Sequence, residues 1–243
     1  MHELPHDNDQ DRWMWTCCAA ALQADIASWR RRNTRLLEIN CGKGLCLQML
    51  WECGFDVTGT AASPDERSAA AANAPYGTEI LAASDDDIPV ETDAFDWVIL
   101  HLGEHDAAQM RQAVKEAVRI ASRGVVISFW NRSSLLRALH AFGWSRITLP
   151  CRGLYVWQVL AAVRDLPCKK RLNGCLPLPL VSGLFSLLGG AGRICTALLG
   201  AWTLLRINLD PAASGTPLGL RTGHTGPLAQ GAAVMECRAG GKN

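Results

Sequence analysis

The chain has 243 residues, 49% of them hydrophobic and 19% charged, with 24 Lys and Arg against 23 Asp and Glu. That is room for one α/β domain with tails and a sizeable core. The near-neutral balance gives no basic footprint, so no nucleic-acid partner is expected. Ten cysteines are present. Cys17 and Cys18 are adjacent, and Cys41, Cys46 and Cys195 sit in apolar runs. With no CxxC pair they read as buried, reduced thiols, and no metal is expected.

Met1 to Asp11 is polar and lacks the basic-then-apolar order of a signal peptide, so the expected compartment is the cytoplasm. Asp11 to Arg32 predicts a helix, with Trp15, Ala19, Leu22, Ile26 and Trp29 at helical spacing and Arg30, Arg31 and Arg32 in its last turn. Arg35 to Asn40 is a short apolar run, the pattern of a buried strand, and Gly42-Lys43-Gly44 follows at once. Leu45 to Cys53 predicts a helix stopped by Gly54. Asp56 to Ala62 predicts a second strand. Ser63 is the expected N-cap of the next helix, with Pro64 in its first position.

Strands are expected at Glu79 to Ala83, Phe95 to Leu100 and Gly124 to Phe129. Helices are expected at Ala107 to Ser122 and Ser133 to Phe142. Strands alternating with helices mean right-handed crossovers and a doubly wound, mostly parallel α/β sheet. Past Trp144 the pattern loosens: Leu154 to Leu166 reads as helix, and Lys169 to Leu176 and Ala201 to Leu209 as strands. The apolar stretch from Leu176 to Leu205 is cut by Pro177, Pro179, Gly189, Gly190 and Arg193, so it reads as core or as a surface for peripheral membrane contact, not as a span. The expected division is a helical segment over 1–32, an α/β domain over 33–210 and a disordered tail over 211–243.

The turn Glu38-Ile39-Asn40-Cys41-Gly42-Lys43-Gly44 carries the chemistry. It joins a strand to a helix, where doubly wound sheets bind ligands, and its glycines let a ligand approach the backbone. It is neither a Walker A loop nor the GxGxxG of nicotinamide enzymes.

It does resemble the first motif of class I S-adenosylmethionine-dependent methyltransferases, E/D-x-G-x-G-x-G. Glu38, Gly42 and Gly44 match, and Asn40 replaces the first glycine. Gly54 to Pro64 is similar to the family's second strand and turn, with Ala61 where the family's ribose-binding acid stands. Asp85-Asp86-Asp87-Ile88-Pro89 resembles the acidic stretch that reads adenine. Phe95-Asp96-Trp97-Val98 resembles the fourth strand, and His101-Leu102-Gly103-Glu104-His105 the segment after it. Together these cover about residues 36 to 131 and most resemble the small-molecule, type 11 branch.

The resemblance implies a seven-stranded Rossmann-like fold and S-adenosylmethionine as cofactor, with a small molecule as methyl acceptor; the apolar stretch around Leu176 to Leu188 points to a lipophilic one. Glu38 would anchor the methionine end and Gly42 and Gly44 would give the ligand room. Asp85 would accept from the adenine amino group, and His101 would line the pocket. Asn40 and Ala61 occupy cofactor-contact positions, and Thr60 or Ser63 is available to compensate for Ala61. If the acceptor must lose a proton early, His105, or else His101, is the candidate base. Tyr155 and Trp157 read either as acceptor-pocket or as core residues. The competing reading is a catalytically inactive binding or scaffold protein on the same fold, suggested by Asn40 and Ala61.

Overall fold

The computed structural model describes residues 9–103, 105–142, 153–166, 168–175 and 198–209. The expectations placed on Glu104, on most of the region from Trp144 to Leu188, on residues 176–197 and on the tail 211–243 lie outside the described residues.

In chain order the elements are α1 (Asp9–Ile26), β1 (Arg35–Ile39), α2 (Leu45–Glu52), β2 (Asp56–Ala61), α3 (Pro64–Asn73), β3 (Glu79–Ala82), β4 (Phe95–Leu102), α4 (Ala107–Ile120), β5 (Ala121–Trp130), α5 (Leu135–Ala141), α6 (Val156–Ala162), β6 (Cys168–Cys175) and β7 (Trp202–Leu209). They build a seven-stranded sheet in the order β3-β2-β1-β4-β5-β7-β6. The first five strands pair in parallel, and β7 runs antiparallel to both β5 and β6. The sheet is the doubly wound, mostly parallel one expected from the sequence. Its direction of winding reverses between the neighbours β1 and β4, which makes their carboxyl ends the switch point.

Successive strand residues point to opposite faces, and both faces are covered. Leu37, Ile39, Val98, Leu100, Val125 and Ile127 pack with Met110, Val114 and Ala117 of α4 and with Val156 and Val159 of α6. Leu36, Val57, Trp97, Ile99 and Val126 pack on the other face with Leu22 and Ile26 of α1 and Leu47 and Leu50 of α2. A strand buried on both sides reads as a continuous apolar run, as in Trp97-Val98-Ile99-Leu100. α1 thus shares its core with α2 and the sheet.

Helix ends follow local chemistry. The Ser63 side chain accepts from the backbone N–H of Glu66 at the start of α3, with Pro64 in the first turn. Asp106 caps α4 through a reciprocal capping box with Gln109. Gly54, at φ 91°, ends α2 in the left-handed region.

Several boundaries differ from expectation. α1 stops at Ile26, so Arg30, Arg31 and Arg32 lie beyond it and do not complement its dipole. The reason is Trp29, whose N–H closes a turn on the Ile26 carbonyl and whose ring stacks on Trp97 at 3.9 Å. β5 begins at Ala121, directly from the end of α4, because Ala121 pairs with Phe95 before the register shifts ahead of Gly124. Gly124 has a packing role: a Cβ there would lie 2.3 Å from the Ile207 carbonyl oxygen and 2.5 Å from the Trp97 ring. Helix α6 is shorter than expected, seven residues instead of Leu154 to Leu166, because Leu154 bridges to Asn131 beside the end of β5. Among the described cysteines, Cys18, Cys41, Cys46 and Cys53 are free thiols.

Candidate active site

At the carboxyl ends of the strands lies a cleft of about 450 Å³. Asn40 lines it from the β1 turn, Thr60 and Ala61 from the end of β2, and Asp85, Asp86 and His105 from the loops after β3 and β4. Glu66 of α3 and Gln109 of α4 complete its walls.

The β1 turn is a run of left-handed residues: Asn40 at φ 63°, Gly42 at φ 53° and Gly44 at φ 75°. Asn is among the few side chains that tolerate this region, which explains how Asn40 stands where a glycine was expected. Its backbone N–H donates to Thr60 Oγ1 at 3.2 Å, and its Nδ2 donates to the His101 carbonyl at 3.1 Å. The side chain therefore ties the end of β1 to the end of β4. A Cβ at Gly44 would come within 2.8 Å of the Ala70 carbonyl oxygen in α3, whereas Gly42 has nothing within 4 Å. Gly44 is thus required by packing, and Gly42 leaves open space.

Glu38 is 1% exposed and is not part of the cleft lining. Its Oε1 accepts from His101 Nε2 at 3.0 Å, and His101 Nδ1 meets Ser128 Oγ at 2.5 Å. The other carboxylate oxygen, Oε2, is buried without a partner. Glu38, Cys46 and His101 each present a ligand atom within 4.8 Å of the others. Burial first, then the Glu38 carboxylate, pushes the Cys46 thiol well above its ordinary value, which keeps it protonated. Burial, with Glu38 and Glu66 adding to it, pushes the Cys41 thiol up to about 12.

At the far end, His105 Nε2 pairs with Asp85 Oδ2. That hydrogen bond holds the Asp85 carboxyl below the usual range, against the smaller opposing effect of burial. His105 Nδ1 is buried without a partner. One ring nitrogen is therefore engaged by Asp85 and the other is turned away from solvent. Ile88, just past the acidic stretch, is locked down by α4: its N–H donates to Glu116 Oε1, and Arg119 donates to the carbonyls of Ile88 and Val90.

The structure thus brings Asn40, Ala61, Asp85 and His105 together around one cleft. Gly42 and Gly44 form the turn beside it, and Glu38 and His101 lie beneath, in contact with each other. Thr60 is engaged by Asn40, and Ser63 by its capping bond. Glu66 is a lining residue not anticipated from the sequence. It stands three residues after Ser63, where a capping-box acid is expected, yet only its backbone takes part in the cap. Tyr155 and Trp157 stack on each other at 4.2 Å, and Trp157 is 58% exposed, so the pair is a surface feature and Trp157 is not core.

Residues 37–129 match the family model described as a methyltransferase domain. That match assigns a methyltransferase domain to residues 37–129, less than half of the chain. Such domains use S-adenosylmethionine as cofactor, and the match supports an enzyme of this kind. No curated relative matches the chain. Among solved structures, it is similar to a magnesium protoporphyrin IX methyltransferase from Synechocystis PCC 6803 with bound S-adenosylhomocysteine, at 13% identity and a TM-score of 0.63, over 86% of this chain and 90% of that one. It is similar to a possible histamine N-methyltransferase from Thermotoga maritima, at 18% identity and a TM-score of 0.53, over 84% and 96%. A methyltransferase from Archaeoglobus fulgidus aligns at 13% identity and a TM-score of 0.55, over 79% and 93%. At these identities the structural likenesses establish the fold alone. Among the described residues, no helix is long and apolar enough to cross a membrane.

The methyltransferase cleft fits its cofactor on three observations. Gly42 leaves room at the turn, Glu38 holds an unpartnered buried oxygen beneath it, and Asp85 offers a charged acceptor at the far end. The ribose position, Ala61, supplies no carboxylate.

Proposed function

We propose that the cleft at the switch point binds S-adenosylmethionine and that the chain methylates a small, lipophilic acceptor. The observation that carries this reading is the convergence of Asn40, Ala61, Asp85 and His105 on one cleft at the carboxyl ends of β1 to β4. When bound, the cofactor supplies a methyl group activated on a sulfonium. The protein supplies position and electrostatics.

In this reading Asp85, with Oδ2 held by His105, offers Oδ1 to the adenine amino group. Glu66 stands against Ala61 and accepts from the ribose hydroxyls in place of the missing acid. Gly42 gives the ligand room to pass, and Glu38 receives its ammonium group through Oε2. His105 first serves by fixing Asp85. It acts as a base only for an acceptor that draws its ring away from Asp85 and frees Nε2. The acceptor enters from the same edge of the sheet, where the Asn131–Leu154 bridge places the Tyr155–Trp157 pair beside the end of β5.

The proteins it resembles differ in acceptor: one is a magnesium protoporphyrin IX methyltransferase and another a possible histamine N-methyltransferase. The exposed ring of Trp157 favours an apolar one. A second reading, a binding protein without catalysis, is favoured by Ala61 and by the Asn40 side chain tied across to β4.

Incubation of the full chain with methyl-labelled S-adenosylmethionine and a panel of phenols, amines and carboxylic acids tests the proposal. Label transfer to an apolar member, reduced at least tenfold in Trp157→Ala, supports it. Cofactor binding without transfer to any member favours the second reading.

A further inference from the structure

Glu38, His101 and Ser128 lie on adjacent strands β1, β4 and β5, on the face covered by α1 and α2. The strand register sets them in a row: Glu38 pairs with Ile99, two residues before His101, and His101 pairs with Ser128. Ser128 is 2% exposed and Glu38 1% exposed, so neither reaches solvent. The imidazole joins them, with Nδ1 on Ser128 Oγ at 2.5 Å and Nε2 on Glu38 Oε1 at 3.0 Å.

Three facts make this more than a satisfied buried pair. A buried carboxylate needs hydrogen bonds to both oxygens, yet Glu38 Oε2 has no partner. The Cys46 thiol beside it is kept protonated, so it offers the Glu38 carboxylate at most a weak S–H donor and brings no compensating charge. Glu38 also stands two residues before Asn40, which lines the cleft. The carboxylate is therefore fixed by one oxygen, and its other oxygen is a buried acceptor beneath the Asn40 turn, which suits a cation carrying N–H donors.

We infer that Ser128 and His101 are positioning residues that hold Glu38 to receive the ammonium group of the amino-acid end of the cofactor. The inference rests on the cofactor reading of the cleft. A Ser128 hydroxyl that donates to Nδ1 places the ring proton on Nε2, facing Oε1. The imidazole then orients the carboxylate without neutralising it, and Oε2 keeps its charge for the ligand. Ser128 touches no ligand and acts only through His101.

The test is calorimetric titration of the full chain, Ser128→Ala and His101→Gln with two ligands. S-adenosylhomocysteine carries the amino-acid end. 5′-Methylthioadenosine has the same nucleoside and sulfur without it. The expected result is about a tenfold loss of S-adenosylhomocysteine affinity in each variant, equivalent to about 1.4 kcal/mol, with 5′-methylthioadenosine affinity unchanged. Retained 5′-methylthioadenosine binding also shows that the variant is folded. Equal losses for both ligands, or no loss for either, would overturn the inference while leaving the cleft assignment standing. Failure of the unsubstituted chain to bind either ligand would overturn the cleft assignment and the inference with it.

Discussion

His105 and Asp85, twenty residues apart in sequence, are hydrogen-bonded to each other at one end of the cleft. The pair holds Asp85 ionised. Its folded carboxyl titrates below the ordinary value of 3.8 because His105 donates to it. Such a group adds stability above its unfolded value, and the gain is lost as pH falls through the folded value. Asp85→Asn is therefore less stable than the parent at pH 7, and the difference closes as pH drops below 3.8. Thermal melts from pH 7 to pH 3 check this. A gap that persists unchanged at the acid end contradicts the assignment.

The two turn glycines separate strain from space. Both have positive φ, but only Gly44 faces backbone, the Ala70 carbonyl oxygen at 2.8 Å from a built Cβ. Gly42→Ala meets only the left-handed penalty, about 1–2 kcal/mol. Gly44→Ala adds a clash that α3 must move to relieve, for a total of about 2–4 kcal/mol. Urea unfolding of both variants reads the difference, and equal losses would show that α3 yields freely.

In the proposed reading of the cleft, Glu66 stands in for the acid absent at Ala61. In Glu66→Gln, S-adenosylhomocysteine affinity is expected to fall about tenfold, the scale of a hydrogen bond to a charged group. Adenine, which has no ribose, is expected to bind as before. Competition titration with both ligands checks this, and equal affinity of parent and variant for S-adenosylhomocysteine would remove Glu66 from the site.

Asp25, in α1, is 3% exposed and neither carboxylate oxygen has a partner. Burial raises its carboxyl above the ordinary 3.8, and the nearby charges of Arg206 and Arg171 only partly oppose this. Arg206 donates to the Asp25 carbonyl and to Asn208 Oδ1, and turns its face to the Trp97 ring. A raised carboxyl favours the fold below its unfolded value and loses that contribution as pH rises through the folded one. Asp25→Asn is therefore expected to stabilise the protein at pH 7 by about 1 kcal/mol, or about 2–4 °C in Tm. The advantage should vanish below pH 3.8. A lower Tm for the variant at pH 7 would show that the Arg206 charge outweighs burial.

The sheet was legible because its central strands announce themselves: Trp97 to Leu100 must be buried on both faces, and Ser63-Pro64 can only open a helix. Boundaries set by tertiary contact were not. Nothing local in Arg30-Arg31-Arg32 says that Trp29 leaves the helix to stack on Trp97. Gly124 reads as a strand-start glycine, and only its approach to Ile207 and Trp97 gives its reason. In the site, Asn40, Ala61, Asp85 and His105 were legible from motif order. The Ser128 contact to His101 was not, because cross-strand register decides it. Glu66 was not legible either, because only the fold brings the start of α3 to the cleft wall.

The most direct measurement is calorimetric titration of the full chain with S-adenosylhomocysteine at neutral pH, beside Asp85→Asn. A cofactor cleft built on Asp85 predicts micromolar binding, weakened about tenfold by the substitution. A folded protein that gives no heat at millimolar ligand would contradict cofactor binding at this cleft.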